Sequence, residues 1–91
     1  MSIFVVLTES FNDKVEEVIK QKFPGEYFRI SAGQWLVSTA STSKELTETL
    51  GVIDKDKGPG PAVIFSISSF YGMWSEDLWE WLTLKFEKSN G

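Results

Sequence analysis

Apolar and polar positions follow two different periods along this chain, and together they predict seven elements. Residues 3–8 form an apolar run with little alternation, which is typical of a strand buried on both faces. Ser10 stands where an N-cap is expected, and Pro24 and Gly25 end the helix that follows. The inner face of this helix is marked by apolar residues three and four apart, at Phe11, Val15, Val18, Ile19 and Phe23.

The middle of the chain predicts a hairpin and a second helix. Residues 27–30 and 35–40 favour two strands, and Gly33 between them supplies the positive φ that a hairpin turn often needs. Thr42 and Glu45 have the spacing of a capping box, and Gly51 suits the end of the short helix that this box opens. Leu46 and Leu50 would face the core.

The last third of the chain predicts a loop, a strand and a longer helix. Residues 54–61 are rich in turn formers, and residues 62–67 are apolar on both faces of a predicted strand. Ser75 is followed by Glu76 and Asp77, which place acidic charge at the positive end of a helix dipole. That helix should span about residues 75–88.

The element order β-α-β-β-α-β-α predicts one α+β domain over residues 1–91. Its first six elements match the ferredoxin-like split β-α-β arrangement, an antiparallel sheet with two helices on one face, and the C-terminal helix is an addition. In that topology the first and third strands are central and the last strand is an edge. The doubly apolar pattern of residues 62–67 conflicts with an edge position.

The C-terminal helix carries more apolar surface than one packing face requires. Three of the four tryptophans lie between positions 74 and 81. Two interpretations stay open: the helix covers the sheet within one molecule, or it joins residues 62–67 in a self-complementary surface that forms a two-fold dimer. Aromatic side chains supply much of the binding energy at interfaces. The candidate partner-binding residues are Tyr71, Trp74, Trp79, Trp81 and Leu84.

The amino-acid composition excludes several kinds of chemistry. The chain has no cysteine and no histidine, which excludes disulfides, thiolate chemistry, and imidazole bases or metal ligands. The net charge of −4 works against loose attraction to nucleic acid or to anionic membranes. The sequence predicts no leader and no membrane-spanning segment, so a cytoplasmic protein is expected.

Few residues are candidates for catalysis or metal binding. Glu9 follows the first strand and is the candidate catalytic and metal-binding residue, but one carboxylate is too few ligands for a divalent cation. Two Glu9 side chains would have to meet in a dimer to hold Mg²⁺. Asp54 and Asp56 resemble part of a calcium loop without its closing Glu. A modest basic cluster on the first helix consists of Lys14, Lys20 and Lys22.

Residues 33–46, with the sequence GQWLVSTASTSKEL, resemble the small SinR-like proteins and, more distantly, the ferredoxin-like CRISPR adaptation nucleases. In those families a strand of this kind leads into a helix opened by a Thr-rich turn, and the resemblance covers about positions 3–70. It implies a dimer whose subunits meet through their sheets and a metal-binding acid at the end of the first strand. Glu9 matches that acid, where the families usually have Asp.

Three functional hypotheses follow. The first is a non-enzymatic, homodimeric binding protein without a cofactor, which acts on an unknown protein partner through its aromatic C-terminal surface. The second is a metal-dependent nuclease that uses paired Glu9 residues and Mg²⁺. The third is a small nucleic-acid-binding regulator that uses the basic residues of the first helix.

Overall fold

The computed structural model describes residues 2–90, and its side chains as far as residue 87. Across these residues the chain forms four strands and three helices in the predicted order. No helix within the described residues is long and apolar enough to cross a membrane. The strands are β1 (Ser2–Thr8), β2 (Tyr27–Ser31), β3 (Gln34–Thr39) and β4 (Ala62–Ile67), and the helices are α1 (Asp13–Lys22), α2 (Ser43–Leu50) and α3 (Glu76–Asn90).

The four strands form one antiparallel sheet in the order β2-β3-β1-β4. β1 and β3 are therefore central and β2 and β4 are the edges, which confirms the α+β class. Gly33 makes the tight turn between β2 and β3 with a φ of +76°, and a Cβ there would lie 3.0 Å from the carbonyl oxygen of Thr8. The turn therefore requires glycine on two counts.

Both α1 and α2 pack on one face of the sheet. Val15 and Ile19 are the buried residues of α1, and Leu46 and Leu50 are those of α2. Phe11 was expected on the same stripe, but it precedes the helix and is exposed. The strand side chains that complete this core come from β1 and β3 and are Phe4, Val6, Trp35 and Val37.

The third helix packs on the opposite face. Leu78 and Leu82 of α3 are buried against Ile3 of β1 and Leu36 of β3. β1 therefore contributes to two cores, because alternate side chains of a strand point to opposite faces. This explains its unbroken apolar run. The helix covers part of the sheet within a single chain, as the first interpretation of the aromatic C-terminus expects.

Two of the three N-caps are the residues that the sequence predicts, and the third is a different residue. Thr42 and Glu45 form the predicted capping box, and Ser75 accepts a hydrogen bond from the backbone of residue 78 at 3.4 Å. The prediction of Ser10 as the first N-cap was wrong. Asn12 takes that role, since its side-chain oxygen accepts from the amides of residues 14 and 15, both at 3.1 Å.

The two edges of the sheet differ in their protection. β2 has a register shift between Arg29 and Ser31, whereas the pairing of β4 with β1 runs without interruption from Ile67 to Ala62. The expectation that residues 62–67 are buried on both faces was wrong: Val63 is 47% exposed and Phe65 is 51% exposed. The physical reason is that α3 packs chiefly over β1 and β2 and leaves the β4 side of its face bare.

Candidate functional site

An apolar strip on the α3 side of the sheet lies outside the cover of that helix. Phe65 is directly opposite Val5, and Val63 is directly opposite Leu7. Paired residues of antiparallel strands share one face of the sheet. Val5 packs against the buried cluster that Leu78 and Leu82 of α3 form with the sheet. Phe65 and Val63 therefore point to the α3 side. We call Leu7, Val63 and Phe65 the uncovered strip.

The segment between β4 and α3 continues this apolar surface. Residues 70–74, which we call the aromatic strap, have the sequence FYGMW and no charge. Tyr71 is fully exposed, Met73 is 92% exposed and Trp74 is 54% exposed. Phe70 anchors the strap by packing against α3. The centre of its ring lies 5.3 Å from the ring centre of Trp79 and 4.9 Å from that of Phe86. The strap is thus held at one end and presents three large apolar side chains to solvent.

An open groove of about 460 Å³ lies beneath the strap, between it and α3. Its lining is dominated by apolar side chains from β2, β3, β4 and α3, among them Ile30, Leu36, Ile67 and Leu82. Apolar clefts of this size with aromatic walls are typical places for a ligand or a partner's side chain to insert. The groove and the strap therefore form one continuous candidate surface.

The five predicted partner-binding residues do not form one cluster. Tyr71 and Trp74 lie in the strap. Trp79 and Trp81 are half-buried against the sheet, and the ring of Trp81 lies 6.2 Å from that of Phe28. Leu84 is exposed in a separate depression of about 380 Å³ along α3. Among the residues with described side chains, Trp79 alone lines both this depression and the groove, so it connects the two parts.

The sequence pointed to residues 62–67, but it did not indicate which side chains of that strand would be exposed or that Leu7 would lie beside them. Val63 and Phe65 alternate with Ala62, Ile64 and Ser66, so the strand pattern allowed either face to be the exposed one. Leu7 was assigned to a doubly buried strand. It is only half-buried, because α3 does not cover this end of β1, and no local pattern of β1 encodes the position of α3. The charge-free sequence FYGMW was the available signal for the strap.

Glu9 lies just beyond β1, in a shallow depression of about 360 Å³ between the ends of β1 and β4. Its carboxylate is exposed, and the other lining residues are Leu7, Thr8, Pro61, Ala62 and Val63. Within the part of the chain that the structure describes, no three acidic side chains are grouped so as to hold a metal ion. One carboxylate among apolar neighbours does not fit Mg²⁺, which prefers several oxygen ligands in octahedral geometry.

The side chain of Asp54 has a structural role in its loop. The side-chain oxygen of Asp54 accepts hydrogen bonds from the amides of residues 56 and 57, both at 3.0 Å. Such a turn closes the loop on itself. Asn12 then ties the loop to α1, because its side-chain amide donates to the carbonyl oxygen of Pro59 at 2.7 Å. These contacts explain Asp54 without a calcium ion, whereas Asp56 takes part through its backbone amide.

The basic cluster of α1 stays on the surface. Lys14, Lys20 and Lys22 are exposed, while Glu16 accepts from the indole nitrogen of Trp35 at 3.4 Å and pairs with Arg29 at 3.4 Å. Glu16 therefore connects α1 to both β2 and β3. No protein-family model matches this chain, and no curated protein matches it either, so its own surface is what indicates a function.

Proposed function

We propose that this chain is a non-enzymatic interaction protein that forms a homodimer and binds a protein partner through the aromatic strap. The observation that carries the proposal is the exposure of Tyr71, Met73 and Trp74 beside an open apolar groove. Monomeric proteins rarely leave contiguous apolar surface of this kind in water. Aromatic and Met side chains are also enriched at the centres of interfaces.

The charge around the strap indicates the chemistry of the partner. Glu76, Asp77 and Glu80 are exposed on the first turns of α3, directly after the strap. An interface with an uncharged centre and an acidic rim is complementary to an apolar segment flanked by Lys or Arg. We therefore infer a partner that inserts an apolar side chain into the groove and places basic residues opposite these carboxylates.

The fold and the cellular location belong to the same proposal. We infer a ferredoxin-like split β-α-β domain with one added helix, and the strand order β2-β3-β1-β4 together with the β-α-β-β-α-β connections supports it. A relationship to the SinR-like proteins is part of this inference. A cytoplasmic location is favoured because a chain without cysteine gains nothing from an oxidising compartment.

Sedimentation of the purified chain tests the dimer. A monomer has a mass of 10.3 kDa, and we expect a species of twice that mass at micromolar concentration. Phe65→Glu should shift this species to the monomer, because it places two like charges in a surface that must lose water. A wild-type chain that stays at the monomer mass at all accessible concentrations would contradict the homodimer.

Photo-crosslinking tests the partner surface. A benzophenone amino acid at position 71 should crosslink a distinct protein in cells, while the same group at position 11, an exposed aromatic site on the opposite face, should not. Excess unlabelled wild-type chain should compete, and Trp74→Ala should compete poorly. Equal labelling from both positions, or equal competition by both chains, would remove the strap as a binding surface.

A further inference from the structure

The outer edge of β4 presents free backbone groups, and the hydrogen bonds of β1 show which ones they are. The amide of Thr8 donates to the carbonyl oxygen of Gly33 at 2.9 Å, so Thr8 directs its backbone toward the β2–β3 side of the sheet. Because backbone direction alternates along a strand, Leu7 and Val5 direct theirs toward β4.

The same alternation of backbone direction applies to β4, which pairs with β1. Val63 and Phe65 lie opposite Leu7 and Val5, so their backbone groups bond back to β1. The amides and carbonyls of Ala62, Ile64 and Ser66 consequently point outward. Within residues 2–90 no strand pairs with this side of β4.

The two edges of the sheet are protected very differently. Proteins block exposed edges with charged side chains, bulges or prolines inside the strand. The β2 edge carries Arg29 and a register shift at the same place. β4, with the sequence AVIFSI, has no charge and no proline, and its pairing with β1 is regular over all six residues. It is therefore a template for another strand.

A second copy suits this edge, because a two-fold axis sets its outward amides and carbonyls against an identical set. The chain carries a net charge of −4, so two copies repel each other unless they meet through a neutral surface. β4 is such a surface, and a two-fold axis places one neutral, unprotected edge against another. Val63 and Phe65 of the uncovered strip lie on the same strand, so the pairing also brings their side chains into lateral contact with those of the second copy.

We infer that two copies pair through β4, antiparallel about a two-fold axis at Phe65, and join their sheets into one of eight strands. This inference rests on the proposed homodimer and specifies its geometry. With the axis at Phe65, Ile64 of one copy exchanges backbone hydrogen bonds with Ser66 of the other. The two Phe65 side chains then lie side by side on the α3 face, in a pair that is not hydrogen-bonded, where side chains approach most closely.

The first test removes one outward amide of β4 and adds no charge. Ser66→Pro deletes an N–H that points away from β1, a position where an edge strand tolerates proline. We expect this variant to keep its circular dichroism spectrum and to sediment as a monomer. Ser66→Ala, which keeps the amide, is the matched control and should remain a dimer.

The second test uses the absence of cysteine in the chain. Phe65→Cys should form a disulfide-linked dimer under mild oxidation, since the two positions meet at the axis, whereas Leu84→Cys, at an exposed site on α3, should not. A disulfide-linked dimer of Phe65→Cys, with none for Leu84→Cys, supports the β4 pairing even if Ser66→Pro fails to fold.

The failure of this inference is separate from the failure of the homodimer. A wild-type dimer that survives Ser66→Pro and gives no crosslink at position 65 would overturn the β4 pairing and leave the dimer standing. A wild-type monomer would overturn both.

Discussion

The ammonium group of Lys85 lies 2.7 Å from a carboxylate oxygen of Glu26 and joins α3 to the turn before β2. Lys85 is 5% exposed, and its Nζ also lies 3.5 Å from the carbonyl oxygen of Gly25 and 5.9 Å from the centre of the Trp81 ring. A buried ammonium needs such partners, because losing its hydration without compensation costs several kcal/mol. Glu26 therefore helps to fix where α3 sits on the sheet.

Removing the carboxylate should harm the protein more than removing both charges. We expect Glu26→Gln to lower the free energy of unfolding by roughly 1–3 kcal/mol, because Lys85 stays buried with a weaker partner. The double variant Glu26→Gln with Lys85→Met should recover part of that loss. Urea denaturation followed by circular dichroism measures both, and a double variant less stable than Glu26→Gln alone would contradict this role.

Replacing Trp81 should destabilise the fold more than replacing Trp74. Trp81 is half-buried against Phe28, so Trp81→Ala should cost roughly 2–3 kcal/mol of unfolding free energy. Trp74 is mostly exposed in the strap, so Trp74→Ala should cost less than about 1 kcal/mol and act mainly on partner binding. Equal losses of stability in urea denaturation would mean that the strap is part of the core.

The first helix should depend on Asn12 rather than on Ser10. Asn12→Ala should lower the free energy of unfolding by about 1–2 kcal/mol, because it removes the N-cap of α1 and the hydrogen bond to Pro59. Ser10→Ala is the matched control and should change stability by less than about 0.5 kcal/mol. The reverse order of the two losses would restore Ser10 as the cap.

Glu9 should not support metal-dependent cleavage. In the β4 pairing the two Pro61 residues are eight positions apart along the joined strands, about 26 Å at roughly 3.3 Å per residue. Glu9 lines the same depression as Pro61, so the two carboxylates cannot share one ion. We expect no Mg²⁺- or Mn²⁺-dependent cleavage of RNA or DNA. Cleavage that Glu9→Ala abolishes would establish the nuclease hypothesis instead.

Local signals in the sequence predict the local structure of this protein well. Thr42 and Glu45 are three residues apart and form the capping box that this spacing indicates. Ser10 and Asn12 are both good N-cap residues and lie two positions apart, so the local sequence does not distinguish them. The contact of Asn12 with Pro59 favours Asn12 in the fold, and that residue is 47 positions away in the chain.

Features that depend on how distant elements pack were missed. The burial of Lys85 requires Glu26, which lies 59 positions away, and the apolar stripe of α3 gives no sign of that partner. The same holds for β4, where Val63 and Phe65 look like core residues. Whether such residues are covered depends on the path of α3 across the sheet, which is set by its contacts with β1 and β2.

The irregularity in β2 limits how far the proposed assembly can grow. When two sheets join through β4, the edges left among the described strands are the two copies of β2, each with its shift between Arg29 and Ser31. A border with a register shift and a charged side chain is a poor template for a third molecule. Association should therefore stop at two chains, and a strand as apolar as β4 can stay unprotected without seeding fibres.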